Sequence, residues 1–336
     1  MTHAAVPNPA SDPVPPSYPI ARVSGDLLLP AATRLAQASS GLANAGQELL
    51  NAAKLHAISF RYFWASTEPD DPLAARQACL IVPGAGRTGM CFTTRPETPE
   101  EEAELASVID HACRSLPGNV VRIAQTLLET GEASLGRAYT LAGMPKLATL
   151  LYLRRAMPRA DEFADLQDLP EGVELSGYRP GRDEAALHDV LPRTYEGTLD
   201  CPELSNTRLP SDVVTSHRSA GAWTPGLWWF VRVGETVEGV ALFNPIPDQD
   251  SVELVYFGIT PNIRGQSLGY KLLRHATARL VGRSERWVTC ACDERNAPAL
   301  GMYTRFGMRE HERRIAHVRV IGGADVGSGV RASGRG

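Results

Sequence analysis

The hexapeptide YTLAGM, beginning at Tyr139, returns as YTRFGM at Tyr303, 164 positions later. Without a gap, the same offset sets HACRSL (111–116) against HATARL (275–280), and residues 105–144 share ten identities with 269–308. Such a recurrence constrains the fold more than any single motif, because two stretches of one pattern must adopt one order of elements. In the first half, helices at DLLLPAATRLAQ and AGQELLNAAKLHA precede strand-like ISFRYFWAS, ACLIVPG and GMCFTT. Helix EEAELASVIDHACRSL, strand VVRIAQTLLE, helix SLGRAYTLAG and strand KLATLLYLRR complete it. The second half opens with VELSGYRP and helix RDEAALHDVLPRTY, then a hairpin, LWWFVRVGETVEGVALFNP, turning at Gly234-Glu235. Strand VELVYFGIT, helix GYKLLRHATARLVG, strand RWVTCACD, helix APALGMYTRFG and strand RRIAHVRVI follow. Strands alternating with amphipathic helices give an α/β class in both halves.

Between the halves, residues 156–172 are acidic, proline-bearing and without a sustained period, the composition of a linker. The expected organisation is a disordered tail over 1–18, domains over 19–155 and 173–320, and a flexible tail over 321–336. The proline-rich start lacks the basic and apolar regions of a secretory signal, so a cytoplasmic setting is expected. No apolar run is long enough for a membrane span. A net charge of −4 argues against a protein that grips nucleic acid backbone. The six cysteines form no CxxC pair and no zinc-spaced cluster, so no metal is expected. Cys290 and Cys292 alternate along one strand and share a face as small apolar residues.

The most telling local run is ITPNIRGQSLGYKLL, Ile259 to Leu273. A strand buried on both faces stops at Pro261, and beyond the turn Leu268, Leu272, Ala276 and Leu280 make one helix face. RGQSLG therefore opens a helix, where unpaired N–H groups and the dipole favour an anion. Arg264 adds a forked cation, and glycine permits close backbone approach. Neither a P-loop nor a GxGxxG pattern is present. At the 164-residue offset Arg264, Gly265 and Gln266 face Glu100, Glu101 and Glu102, so the first half should repel the anion the second attracts.

Arg264, Gly265 and Gly269, with Ser267 at the central glycine, make RGQSLG resemble the R/Q-x-x-G-x-G/A loop of the GNAT superfamily of N-acetyltransferases. DERNAPALGMYTRFGM resembles that superfamily's N-x-x-A…Y-x-x-F/L-G-F segment through Asn296, Ala299, Tyr303, Phe306, Gly307 and Met308. The resemblance covers 173–320 well and 20–155 weakly, and implies two tandem domains, each a mixed sheet flanked by helices, with a degenerate first copy. It further implies acetyl-CoA as co-substrate, its pyrophosphate on Arg264, Gly265, Gln266, Ser267, Leu268, Gly269 and Tyr270, with contacts from Asn296. Gly258 and Ile259 would offer main-chain groups to the pantetheine arm.

Acetyl transfer to an amine requires a neutral amine, a polarised carbonyl and a stabilised thiolate. Glu253, a carboxylate inside the apolar VELVYFG, is either a base with raised proton affinity or a strand-edge partner for a basic residue. The resemblance implies the base, and implies that Tyr303 protonates the coenzyme sulfur; a half-buried aromatic is the plainer alternative for Tyr303. Tyr139 is its structural counterpart, and His111 and His275 are read as packing or surface residues. Glu196, Asp200 and Glu203, in the polar connection 194–212, are either attractors of a cationic amine or ordinary solvated residues. Trp223, Trp228 and Trp229 line a cleft or pack a core. Two other functions stay open: a non-catalytic acyl-CoA or partner-binding protein, and a transferase using a different acyl donor. The sequence does not fix the acceptor or the oligomeric state.

Overall fold

The computed structural model describes residues 18–40, 44–265 and 267–322. Most of both expected tails, and Gln266, lie outside the described residues. Ile321 does not belong to a tail: it is buried, and its N–H donates to the Arg122 carbonyl at 2.8 Å.

The N-terminal half runs β1 (Ile20–Arg22), α1 (Leu28–Ser40), α2 (Ala45–Leu55), β2 (Phe63–Thr67), β3 (Ala75–Gly84), β4 (Thr88–Thr93), α3 (Pro99–Arg114), β5 (Ile123–Glu129), α4 (Ala133–Leu141) and β6 (Lys146–Ala156). The C-terminal half runs β7 (Val173–Gly177), α5 (Glu184–Tyr195), α6 (Pro210–Ser219), β8 (Trp228–Val233), β9 (Thr236–Ile246), β10 (Ser251–Ile259), α7 (Leu268–Ala278), β11 (Trp287–Asp293), α8 (Ala297–Arg305) and β12 (Arg309–Val320). The 164-residue offset carries β5 onto β11 and α4 onto α8 residue for residue. It fails at the third helix. α3 starts at Pro99, capped by the Thr98 hydroxyl accepting from Glu101 N–H, whereas the counterpart of Leu268, the first residue of α7, is Glu104. Helical turns therefore replace the glycine loop in the first half.

The strands form one sheet in the order β1-β2-β3-β4-β5-β12-β6-β11-β10-β9-β8-β7. The last strand of each half has crossed over. β6 pairs antiparallel with β11 and β12, and β12 pairs antiparallel with β5 and β6. Leu151 and Leu153 of β6 are thereby buried in the C-terminal core against α7 and α8. The opposite face of that half packs Trp228, Phe230 and Leu242 under α5 and α6. Trp228 and Trp229 are core residues, and the Trp228 indole N–H donates to Asn244 Oδ1 at 2.9 Å.

α6, which the sequence left inside a polar connection, starts with Pro210 in its first turn, where a missing N–H costs nothing. It is braced from the other half. Gly86, in the β3–β4 turn at φ 64°, lies against α6 so closely that a Cβ would meet Asp212 O at 2.1 Å. Arg87 Nε donates to the Asp212 carboxylate at 3.0 Å, and Arg122 Nε to the Thr207 carbonyl at 3.2 Å. Gly86→Ala is expected to force the turn off α6 and cost about 3 kcal/mol, since backbone oxygen cannot rotate away as a side chain can. Thermal unfolding of the variant checks this, and an unchanged melting temperature would contradict the close approach.

Candidate active site

β10 and β11 run parallel, but only Ser251↔Trp287, Val252↔Val288 and Glu253↔Thr289 are paired. Beyond Glu253 the strands part, so main-chain groups of β10 that would have faced β11 have no strand partner. β10 stays bonded to β9 on its other side, through Gly258↔Val240 and Ile259↔Gly239. A bulge between Leu254 and Tyr256 breaks the two-residue alternation. Leu254 packs toward α7 and α8, while Tyr256 turns toward α5 and α6. There its hydroxyl meets Thr194 Oγ1 at 2.7 Å.

The fork opens into a cavity of about 670 Å³. Its walls are β10 from Leu254 to Ile259, the loop at Arg264, Gly265 and Ser267, the first turn of α7, Cys292, α8, and the connection carrying Asp200. Gly258, Ile259, Leu268, Gly269, Tyr270, Asn296 and Tyr303 all reach this one cavity. Glu253 does not line it; it sits one step back, at the last paired position before the fork. No hydrogen-bond or ion-pair partner of its carboxylate occurs among the described residues, and burial raises its pKa above the usual 4.5. The partnered strand-edge alternative is thus not what the strand provides.

The loop holds its shape through left-handed backbone: Gly265 has φ 86° and Ser267 φ 55°, the latter at the N-terminus of α7. Ser267 is thus a serine where glycine is the relaxed choice. Gly269 faces α8, where a Cβ would stand in ordinary contact, 3.4 Å from Met302 Sδ. Leu268 points into the core, so its contribution to the cradle is its main chain. The Tyr270 ring carries the Arg305 guanidinium at 4.0 Å.

Arg264 plays a part that spacing does not reveal. Its Nε donates to Ile259 O at 3.1 Å, Nη1 to Glu196 O at 2.6 Å and Nη2 to Thr194 O at 2.8 Å. The side chain thus ties the end of β10 and the last turn of α5 to the loop, and two of its five N–H groups remain for a ligand.

Tyr303 is buried, and its hydroxyl has no partner among the described residues. Burial first, then the Cys290 and Cys292 thiols and Asp200, hold its pKa well above 10, so the proton stays on. Asn296 Oδ1 caps α8 by accepting from Ala299 N–H at 3.3 Å. In the first half Tyr139 is buried with its hydroxyl 3.3 Å from Thr93 Oγ1, and Glu102 at the start of α3 is held by Arg137 and Ser134. An anion approaching there meets a carboxylate.

The three acids of the α5–α6 connection separate clearly. Glu203 is forked onto Arg295 at 2.6 and 2.9 Å, which makes it a structural partner and no attractor of amines. Glu196 is exposed and contributes its carbonyl to Arg264. Asp200 is on the cavity wall, where one oxygen accepts from Asp293 N–H at 2.8 Å. It is open toward the cavity mouth but crowded by its walls, and this desolvation raises its pKa against the opposing pull of the Asp293 N–H. Nothing in the sequence separated Asp200 from its neighbours, and nothing marked Thr194 or Tyr256. Cys290 and Cys292 are buried free thiols, as their alternation suggested. Among the described residues no helix is long and apolar enough to cross a membrane.

A mixed sheet forked between parallel strands, with a glycine loop opening the next helix, is the GNAT fold. Residues 191–308 match the acetyltransferase (GNAT) family. Among curated proteins, the mycothiol acetyltransferase of Thermomonospora curvata is 30% identical over 171 residues, 50% of this chain and 54% of that protein. The match thus spans about half the length of that relative. The mycothiol acetyltransferase of Amycolatopsis mediterranei is 26% identical over 233 residues, 64% of this chain and 75% of that one. A GCN5-related N-acetyltransferase from Sphaerobacter thermophilus has a similar fold, with TM-score 0.51 and 16% identity over 92% of this chain and 99% of that chain.

Proposed function

We propose that the C-terminal half transfers an acetyl group from acetyl-CoA directly to an amine. The observation that carries this reading is the forked cavity, which gathers the left-handed loop, unpaired β10 main chain, Asn296 and Tyr303. The residues fit an acyl-CoA: loop N–H groups and the start of α7 suit a pyrophosphate, and the free edge of β10 suits an extended amide-bearing arm. Residues 19–155 and 173–320 are read as tandem copies joined by 156–172, with the first copy lacking the cradle.

The amine nitrogen attacks the thioester carbonyl, the C–N bond forms, and the C–S bond breaks. Glu253, at the fork but off the cavity wall, takes the amine proton through water. Tyr303 gives its proton to the leaving sulfur. Tyr303→Phe is expected to lower kcat about a hundredfold with acetyl-CoA affinity within about twofold. Glu253→Gln should lower kcat/KM by a similar factor. A base works deprotonated and burial raises this pKa above 4.5, so wild-type activity should rise with pH through a value above that, a limb the Gln variant lacks. Calorimetry with acetyl-CoA and turnover on an amine panel test the reading. No coenzyme binding at millimolar concentration would defeat it.

A further inference from the structure

We propose that the acceptor is an amine that also carries a carboxylate or similar anion, with its ammonium group at Asp200 and its anionic group at Arg208. The inference rests on the acyl-transfer reading above and gives the acceptor a chemical class.

One connection, residues 196–209, supplies both ends of the recognition. Asp200 hangs from it onto the cavity wall beside Tyr303 and Tyr256. One of its oxygens is taken by the Asp293 N–H, and no further partner occurs among the described residues. Asp293 is itself gripped by Arg295 and accepts from the Cys201 N–H at 3.1 Å. The Asp200 segment is therefore fixed and its second oxygen is unspent.

At the other end, Arg208 is a cation short of a counter-ion. Its Nη1 donates to Ser216 Oγ at 2.9 Å, and no carboxylate lies within ion-pair distance among the described residues. Asp212, the acid whose field it feels, is already bound to Arg87. The surrounding walls strip water from the guanidinium, and this desolvation lowers its pKa. A partly desolvated guanidinium with four unused N–H groups is a strong receptor for a planar anion.

The groups beside it favour the same ligand. His217 stacks on the Tyr256 ring at 5.3 Å, and its Nε2 is enclosed without a partner. Burial, then Arg208, push its pKa down to about 3, so it is neutral and adds no charge beside Arg208. Tyr195 lies edge-on to Tyr256 at 5.5 Å and links the two ends electrostatically. Burial pushes its hydroxyl up to about 12, Arg208 pulls it down, and Asp200 raises it. Asp200 shares the cavity wall with Tyr303, and Tyr195 feels both Asp200 and Arg208, so a carboxylate with a free oxygen and a guanidinium without a counter-ion lie within electrostatic reach of one ring. A zwitterion matches that pair of charges, whereas a simple polyamine would meet Arg208 with like charge.

The test is calorimetric titration of the CoA-saturated protein with glycine, 4-aminobutyrate and 6-aminohexanoate, each compared with its primary amide. At least one acid is expected to bind about tenfold more tightly than its amide. Arg208→Gln should abolish that preference while retaining CoA affinity, which also reports that the variant is folded. Asp200→Asn should weaken acid and amide together. Amides binding as well as all three acids, a preference that survives Arg208→Gln, or no acid binding at about 10 mM would each overturn the proposal. Failure of CoA itself to bind is a different result and defeats the acyl-transfer reading; the same titrations on the free protein then decide the anion subsite alone.

Discussion

Arg264→Glu is expected to weaken acetyl-CoA binding by about a hundredfold or more. The guanidinium holds three carbonyls, from Thr194, Glu196 and Ile259, that belong to two separate elements. A carboxylate there would face three oxygens of its own sign and would add a negative charge where the pyrophosphate is expected. Losing one side of a partly buried, charge-assisted network costs about 3–5 kcal/mol, and each 1.4 kcal/mol is about a factor of ten in affinity. Ser267→Gly is the contrasting variant. It relieves a left-handed serine, worth about 1 kcal/mol, and keeps the N–H, so binding should be retained or improved. Calorimetry on both variants, with circular dichroism to confirm the fold, makes the comparison. Equal affinities for wild type and Arg264→Glu would remove the pyrophosphate from this loop.

Much of this architecture could be read from residue pattern. The stripe Leu268, Leu272, Ala276 and Leu280 is buried, and the hairpin turns at Gly234-Glu235. Local periodicity is decided by which face meets the core, and that information lies within a few residues. What escaped notice depends on distant partners. Two of the three carbonyls that hold Arg264 lie about seventy positions earlier, and the bulge that turns Tyr256 toward Thr194 leaves no mark in an unbroken apolar run. Asp200 became distinct from Glu203 only because Arg295 and Asp293 come from β11 and the turn after it. The crossing of β6 and β12 was equally hidden. An alternating strand satisfies either half of the sheet, and its pattern carries no address.

That crossing gives the second large expected effect. Cut between Ala156 and Val173 and produced separately, neither residues 18–156 nor 157–322 should fold. Every ladder bond of β6 is made to β11 or β12, and every ladder bond of β12 to β5 or β6. The C-terminal piece would lose Leu151 and Leu153 from its core, about 1.5–3 kcal/mol of burial for each. Domains hold only about 5–15 kcal/mol in reserve, so these two losses alone take a large share. β12 would hang free and β11 would become a bare edge, the situation that invites aggregation. Two tandem domains with self-contained sheets would instead melt independently and survive the cut. The exchanged arrangement requires a single cooperative transition in the intact chain, and recovery of soluble, folded protein only when both pieces are refolded together. Circular dichroism melts and size-exclusion chromatography of each piece and of the mixture distinguish the two. A cooperative melt from either piece alone would mean that the half can close its own sheet, and that β6 and β12 exchange without obligation.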